Sequence, residues 1–207
     1  TFTQTAHIPA DSTATIRIPD AHYADVTAWS PDTPALYALR AEIREENQVL
    51  DDLIDRVGFR EISVSGTDIL LNGEKLRLMG FNRHEEYGAF GCAVPLQAMA
   101  QDILMMKDMG CNCVRTCHYP NDPRVLDLCD EMGLLVWEEA HARGLSEEQM
   151  RNPNFMPQTR QCVREMVAQH RNHPSIFIWG CLNECADNCD YGADCYRETY
   201  ALLHDLD

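Results

Sequence analysis

The stretch Ile176-Phe-Ile-Trp-Gly-Cys-Leu-Asn-Glu184 joins a short apolar run to two polar residues at its end. An apolar run of this length, bounded by polar positions, is typical of a buried strand. Three earlier segments have the same organisation, at residues 76–81, 111–115 and 134–137. Together they predict four buried strands in the last two thirds of the chain.

Helical periodicity fills the intervals between these predicted strands. Apolar residues recur at a spacing of three or four over residues 96–109, 125–132 and 158–170. Gly110 and Gly133 follow the first two of these segments, at the position where a glycine commonly ends a helix. The alternation of strand and helix predicts an α/β fold with a parallel sheet and right-handed crossovers.

Reactive polar side chains follow every predicted strand. They lie at 82–85 (Asn-Arg-His-Glu), 115–118 (Arg-Thr-Cys-His), 138–139 (Glu-Glu) and 183–184 (Asn-Glu). The carboxyl ends of parallel strands meet at one edge of the sheet, and in a (β/α)₈ barrel this edge is the catalytic face. The sequence therefore predicts one active site built from these four segments.

The first part of the chain has a different pattern. Residues 13–19 alternate polar and apolar side chains, which predicts a half-buried strand ending at Pro19. Residues 35–57 fit either one helical face or a strand followed by a hairpin turn, and the pattern leaves both open. Asn72-Gly73 predicts a tight hairpin turn, because both residue types tolerate positive φ.

The charge balance excludes several classes of function. The 207 residues contain 17 Lys and Arg against 33 Asp and Glu, a formal net charge of −16. Phosphate-binding surfaces depend on Lys and Arg, so we expect neither nucleic acid nor an anionic membrane as a partner. No apolar run approaches the roughly 18 residues of a membrane span. Because the chain starts with Thr1, we expect it to be part of a longer protein.

Ten cysteines are unusual for a chain of this length and suggest a reducing, cytoplasmic location. Cys181, Cys185, Cys189 and Cys195 raise the alternative of a zinc or iron–sulfur site. Their spacing lacks the paired Cys-x-x-Cys loops of structural zinc sites, and a cysteine in a strand behaves as a small apolar residue. We therefore predict free thiols and no metal ligands.

Eight short motifs occur in one order along the chain, and together they resemble glycoside hydrolase family 2. These motifs are Gly58-Phe-Arg60, Leu71-Asn-Gly73, Gly80-Phe-Asn-Arg-His-Glu85, Asn112-Cys-Val-Arg-Thr116, His118-Tyr-Pro-Asn121, Leu128-Cys-Asp-Glu131, Arg171-Asn-His-Pro-Ser175 and Trp179-Gly-Cys-Leu-Asn-Glu184. The resemblance implies an immunoglobulin-like β-sandwich, of which residues 1–60 are the C-terminal portion. It implies that residues 61–207 are the first four βα units of a TIM barrel, and it favours strands over 35–57.

The resemblance also implies roles for individual side chains. Glu184 matches the acid/base of the family, and Asn183 matches the neighbour that contacts the sugar 2-hydroxyl. The predicted substrate-binding residues further include His84, Arg115, His118 and Glu139. Retaining hydrolysis needs a proton donor with a raised pKa. Because Glu184 follows an apolar strand, we expect it at the floor of the pocket.

Two departures from the family pattern limit the prediction. The segment Glu138-Glu-Ala-His-Ala-Arg-Gly144 lacks the spacing of the magnesium ligands of some galactosidases, so no cofactor is predicted. Either Glu138 or Glu139 could face the pocket or form a strand-end ion pair, while His141 and Arg143 could contact a sugar hydroxyl or an acidic substituent. The nucleophile of the family follows a seventh barrel strand, whereas only four strands are predicted here.

The combined prediction is a retaining exo-β-glycosidase segment with the acid/base and without the nucleophile. A β-galactosidase type is favoured from Asn82-Arg-His-Glu85 and Thr116-Cys-His-Tyr-Pro120. A β-glucuronidase type and a non-catalytic carbohydrate-binding fragment are the alternatives. We expect a carbohydrate substrate, no activity of residues 1–207 alone, and completion of the barrel by the rest of the parent chain or by an oligomer partner.

Overall fold

The computed structural model describes residues 2–207; Thr1, in the predicted first unit, lies outside the described residues. Two antiparallel strands form a hairpin, β1 (Tyr37–Glu45) and β2 (Gln48–Val57). This confirms the strand alternative over 35–57. The strand predicted over 13–19 is wrong: these residues are exposed and form no strand, since no neighbouring strand pairs with them.

A small antiparallel sheet leads from the hairpin to the second part of the chain. It contains β3 (Ile62–Ser65), β4 (Asp68–Leu71) and β5 (Glu74–Lys75). The predicted turn between β4 and β5 is confirmed, because Asn72 and Gly73 have φ values of 52° and 82°. Both values lie in the left-handed region that a tight hairpin turn of this kind requires.

The predicted four-stranded parallel sheet is confirmed. Its strands follow the chain order β6 (Gly80–Arg83), β7 (Cys113–Thr116), β8 (Leu135–Glu139) and β9 (Ile176–Gly180). The first strand begins at Gly80 and not at residue 76. A Cβ at Gly80 would lie 1.8 Å from the Cys113 carbonyl oxygen, so glycine permits the close pairing of β6 with β7.

Helices connect and cover these strands. They are α1 (Leu96–Asp108), α2 (Pro123–Met132), the short α3 (Glu147–Met150), α4 (Phe155–His170) and α5 (Asp190–Leu206). Apolar side chains of α1 and α2 pack against Val114, Val136 and Ile176 in the largest core cluster. The sheet with helices on one face is the first half of the predicted barrel. No helix within residues 2–207 is long and apolar enough to cross a membrane.

Alternate residues of β8 point to opposite faces of the sheet. Val136 packs in the core beneath the helices, and Glu138 contacts His170 of α4. Trp137 and Glu139 lie on the other face, where both approach Arg115. This second face is the interior of the barrel and carries the candidate site.

Trp29 attaches the first part of the chain to the sheet. Its side chain is fully buried, and its indole N–H donates to the Asp130 carbonyl oxygen at 2.9 Å. Its backbone N–H donates to the Phe59 carbonyl oxygen at 2.7 Å. The ring packs with Leu135 and Phe177, residues at the start of β8 and β9. Trp29 therefore closes the amino-terminal end of the strands, opposite the candidate site.

Candidate active site

The centre of the site is the Glu139 carboxylate at the end of β8. Its Oε1 accepts from Nε of Arg115 at 2.6 Å and lies 2.5 Å from Nη2 of the same guanidinium. Its Oε2 lies 2.7 Å from Nδ1 of His118. The Glu139 side chain is only 5% exposed. One buried carboxylate thus orients a guanidinium and an imidazole that come from the end of the neighbouring strand.

Asn183 joins this group through Arg115. The guanidinium Nη2 donates to the Asn183 side-chain oxygen at 2.8 Å. The backbone of Asn183 is held on both sides, because its N–H donates to Ala142 and its carbonyl accepts from Gly144. The structure therefore brings together four of the predicted site residues, namely Arg115, His118, Glu139 and Asn183.

His84 stands at the rim of the same site. Its ring centroid lies 5.4 Å from that of His118 in an edge-to-face arrangement and 6.2 Å from that of Tyr119. The backbone N–H of Cys117 donates to the Arg83 carbonyl oxygen at 3.1 Å, which draws the ends of β6 and β7 together. The predicted proximity of His84 and His118 follows from this pairing.

The position of Glu184 at the floor of a pocket stays a prediction, because the four parallel strands of this segment enclose only part of a barrel. Its side chain is exposed, and its φ of 49° is in the left-handed region. Strand β9 ends at Gly180, and Asn183, directly before Glu184, still forms a parallel bridge with Arg143. Glu184 is therefore presented at the edge of the site.

The two glutamates at the end of β8 have different surroundings. Glu138 is fully buried on the helix-covered face, with both carboxylate oxygens 2.9 and 3.1 Å from Nδ1 of His170. Burial raises the pKa of the Glu138 carboxyl, and His170 opposes this change. Glu139 is therefore the glutamate that faces the site, and it also forms the strand-end ion pair.

Further residues of the site were not predicted from the sequence. The Arg115 guanidinium lies 5.3 Å from the centroid of the Trp137 ring. Gly180 lies beside both Trp137 and Glu139: a Cβ there would come within 2.7 Å of the indole nitrogen and 2.6 Å of Glu139 Cγ. The period-2 alternation of β8 is the signal that could have assigned Trp137 to the face of Glu139.

A buried network supports the segment that follows β7. Arg83 is 4% exposed and donates from Nε to Asp102 at 3.0 Å and from Nη1 to Asn121 at 2.8 Å. The Glu85 carboxylate accepts from the backbone N–H of Asp122 at 2.9 Å. The bonds to Asn121 and Asp122 fix the backbone that follows His118, which limits the positions that its ring can take.

An open cleft of about 1010 Å³ lies over this network and is lined by His84, His118, Tyr119, Arg143 and Cys92 together with Glu85, Glu86 and Gly88. Ligand pockets commonly have about 300–1,000 Å³, so one sugar fits. The Arg143 guanidinium lies 5.3 Å from the centroid of the Tyr119 ring. Imidazole, guanidinium, phenol and carboxylate groups line this cleft, and such groups bind hydroxylated and anionic ligands.

The fold and the site together define a (β/α)₈-barrel enzyme segment with its polar groups at the carboxyl ends of the strands. A family model described as "Glycosyl hydrolases family 2, TIM barrel domain" matches residues 62–207, and one described as "Glycosyl hydrolases family 2" matches residues 2–60. The chain belongs to glycoside hydrolase family 2. The predicted family resemblance is thus confirmed, whereas the division at residue 60 stays a prediction.

The relatives of the chain include enzymes described with different sugars. A family 2 β-galacturonidase from Eisenbergiella tayi, solved with galacturonate, is 58% identical, with a TM-score of 0.85 and coverage of 88% of this chain and 33% of that one. A β-glucuronidase from Bifidobacterium dentium, solved with coumarin-3-O-glucuronide, is 30% identical and has a TM-score of 0.85. The match covers 89% of this chain and 31% of that one. A β-galactosidase from Thermoanaerobacter pseudethanolicus is 36% identical over 183 residues, which are 86% of this chain and 23% of that protein. The chain therefore spans 23% to 33% of the length of these relatives.

Proposed function

We propose that residues 1–207 are the acid/base-bearing part of a retaining exo-β-glycosidase that acts on terminal β-galacturonides. The observation that carries this proposal is the 58% identity to the Eisenbergiella tayi β-galacturonidase, against 30% to the Bifidobacterium dentium β-glucuronidase at the same TM-score. Galacturonic acid has the ring configuration of galactose with a carboxylate at C6. The proposal therefore keeps the galacto configuration favoured by the sequence and adds an anionic group.

Arg143 is the side chain that we assign to the substrate carboxylate. It is exposed at the cleft, and it forms no ion pair with any described residue. Its guanidinium lies over the Tyr119 ring, which limits its rotamers without using its hydrogen-bond donors. A planar guanidinium binds a carboxylate through two parallel hydrogen bonds, so this position suits a uronic acid.

The remaining side chains divide the work of binding and proton transfer. In this proposal Glu184 donates a proton to the leaving oxygen, and Asn183 binds the 2-hydroxyl of the sugar. Arg115, His118 and Glu139 form a rigid polar group that contacts the sugar ring. His84 contacts the sugar from the rim of the site. The nucleophilic carboxylate, about 5–5.5 Å from the acid/base in retaining enzymes, comes from residues outside this segment.

Hydrolysis of three aryl β-glycosides by the whole protein tests the substrate. We expect kcat/KM for the galacturonide to exceed that for the galactoside, which lacks the carboxylate, by about 100-fold, the equivalent of one well-formed charged hydrogen-bond pair. It should also exceed that for the glucuronide, which has the same carboxylate and differs in the configuration of the 4-hydroxyl. Preference for the galactoside would support the original β-galactosidase prediction instead. No turnover of any of the three would favour the non-catalytic carbohydrate-binding alternative.

A pair of arginine variants tests the carboxylate contact. Arg143→Gln is expected to lower kcat/KM for the galacturonide by about 10- to 100-fold and to leave that for the galactoside nearly unchanged. Arg151→Gln is the matched control, because Arg151 is also exposed and stacked on a tyrosine, 4.4 Å from the Tyr191 ring. Equal losses on both substrates would contradict a role for Arg143 in binding the carboxylate.

The segment by itself is expected to be inactive. Retaining hydrolysis needs both carboxyl groups, and our proposal takes only one of them from residues 1–207. Turnover of an aryl glycoside by this polypeptide that disappears in Glu184→Gln would contradict the placement of the nucleophile outside it.

A further inference from the structure

Three soft or borderline donors lie close together at the cleft, and two of them belong to residues that line it. One ring nitrogen each of His84 and His118 and the Sγ of Cys117 lie within 4.8 Å of one another. His84 follows the end of β6, and Cys117 and His118 follow the end of β7. Imidazole and thiolate are the donors that Zn²⁺ prefers, so the cluster has the chemistry of a zinc site.

The orientation of His118 is an independent sign of such a site. Its Nδ1 is bound to Glu139 Oε2 at 2.7 Å, and Glu139 is held in turn by Arg115. Histidines that bind metals almost always donate their other ring N–H to a carboxylate or carbonyl group, which fixes the ring and its tautomer. With Nδ1 occupied by Glu139, the free lone pair of His118 is on Nε2.

Cys117 is placed differently from most buried cysteines of the chain. It is 1% exposed, yet it belongs to none of the apolar clusters of the described residues, whereas Cys113, Cys129 and Cys195 each pack in one. Its Sγ lies 3.5 Å from the Arg115 carbonyl oxygen. The thiol is therefore buried beneath His84 and His118, which line the cleft, and does not pack in an apolar cluster of the described residues.

His84 completes the set because its ring is exposed and forms no hydrogen bond with any described side chain. It can turn by rotation about its side-chain bonds to shorten the distances to Cys117 and His118. The open cleft leaves space for a water as a fourth ligand, the arrangement of three-ligand zinc sites.

We propose that His84, Cys117 and His118 bind one soft divalent cation, such as Zn²⁺, at the wall of the cleft. The spacing of the cysteines predicted no metal ligands, because this set forms between two strand ends and contains only one cysteine. The other group with suitable atoms, Asp127, Asp130 and His173, carries no such proposal, since Asp130 is already bound to His173 and to the Ser175 N–H.

A consequence for the enzyme rests on the proposed function. His84 and His118 are also predicted to contact the sugar, so the cation and the substrate compete for the same side chains. Zn²⁺ is then an inhibitor competitive with the glycoside, and it is not required for turnover.

Cobalt binding to the whole, reduced and metal-free protein tests the site without using activity. Co²⁺ bound through a thiolate shows a near-ultraviolet sulfur-to-metal charge-transfer band, and we expect this band to saturate at one equivalent. Cys117→Ser should abolish the band, and His84→Gln, at an exposed position where folding is unaffected, should weaken binding by about 10-fold or more. Cys92→Ser is the matched control in the same cleft and should keep both the band and the affinity.

Each outcome of the titration decides the proposal. A band that persists in Cys117→Ser, or an affinity that is unchanged in His84→Gln, would overturn it, and so would a band lost in Cys92→Ser alone. A protein that cleaves glycosides but shows no cobalt band contradicts the metal site and leaves the proposed function standing. A protein with the band and with no activity on any glycoside contradicts the function and leaves the metal site standing.

Discussion

Arg115 and Glu139 form a two-contact ion pair across the ends of neighbouring parallel strands, with Nε and Nη2 2.6 and 2.5 Å from the same carboxylate oxygen. The second oxygen of Glu139 is bound to His118 at 2.7 Å. Both oxygens of the carboxylate therefore have partners, and they hold the Arg115 and His118 side chains in one orientation before any substrate binds. Preorganisation of this kind lowers the cost of ordering side chains on binding.

Removal of the Glu139 charge is expected to weaken both stability and substrate binding. Glu139→Gln leaves Arg115 without its anionic partner in a half-buried position, for which we expect a loss of about 1–3 kcal/mol in the free energy of unfolding. The Michaelis constant should rise, because Arg115 and His118 lose their common support. Equilibrium unfolding in urea and steady-state kinetics of the whole protein measure the two effects.

Glu147→Gln, which breaks the exposed pair with Arg151, is the control and should change neither quantity measurably. Equal effects of the two variants would contradict this role of Glu139.

Gly180 is expected to be necessary for the position of Glu139. In Gly180→Ala the new Cβ would lie 2.6 Å from Glu139 Cγ and 2.7 Å from the indole nitrogen of Trp137, so one of these side chains must move. We expect a destabilisation of about 1–3 kcal/mol, the usual effect of overpacking, together with a raised Michaelis constant. Gly88→Ala is the control, because nothing lies within 4 Å of a Cβ there, and its unfolding free energy should stay within about 0.5 kcal/mol. A fully stable Gly180→Ala would show that Glu139 has room to shift.

The role proposed for Glu184 predicts a dependence on the leaving group. Glu184→Gln in the whole protein should slow cleavage of glycosides with poorly acidic leaving groups by about 10²- to 10⁴-fold, because these need protonation in the transition state. Glycosides with strongly acidic phenols should be affected much less. Asp187→Asn, an exposed acid three residues further along the chain, should leave both rates unchanged. Equal slowing of both classes by Glu184→Gln would contradict general acid catalysis.

His173 is expected to make stability depend on pH. Burial disfavours its protonation, but the hydrogen bond and charge of Asp130, with Asp127 and Glu138, outweigh burial and raise the pKa of His173 above its ordinary value of 6.5. A raised pKa in the folded state stabilises fully below the unfolded pKa, and this contribution is lost as the pH rises through the folded pKa.

The variant His173→Gln measures that contribution. Its deficit in unfolding free energy relative to the natural protein should be larger at about pH 5.5 than at about pH 8.5. His204→Gln, at an exposed position on α5, should show no such difference between the two pH values. A deficit that grows towards high pH would contradict the raised pKa of His173.

Much of the fold was predictable because the signals are local. The parallel strands, the helices between them and the turn at Asn72-Gly73 all follow from periodicity or from turn chemistry within a few residues. The strand predicted over 13–19 failed because alternation alone does not supply a pairing partner. Helix α5 was not predicted, although its buried residues Gly192, Cys195, Thr199 and Leu203 recur at helical spacing.

The candidate site was predictable as a set of segments and not as an arrangement. Arg115, His118, Glu139 and Asn183 come together because each follows or ends a strand of the same parallel sheet. The place of Glu184 at the floor of the pocket was predicted from its apolar neighbours and stays a prediction, since its side chain is exposed in a segment that contains only four strands of the barrel.

The sequence by itself determined the alternation of strands and helices in the parallel sheet, the end of that sheet at which polar residues collect and the family to which the motifs belong, because all three depend on neighbouring residues along the chain. Only the tertiary structure decided that Glu139 and not Glu138 faces the site, and that donor atoms of His84, Cys117 and His118 lie close together. These relationships depend on the register between separate strands, where a shift of one residue reverses the face of every side chain.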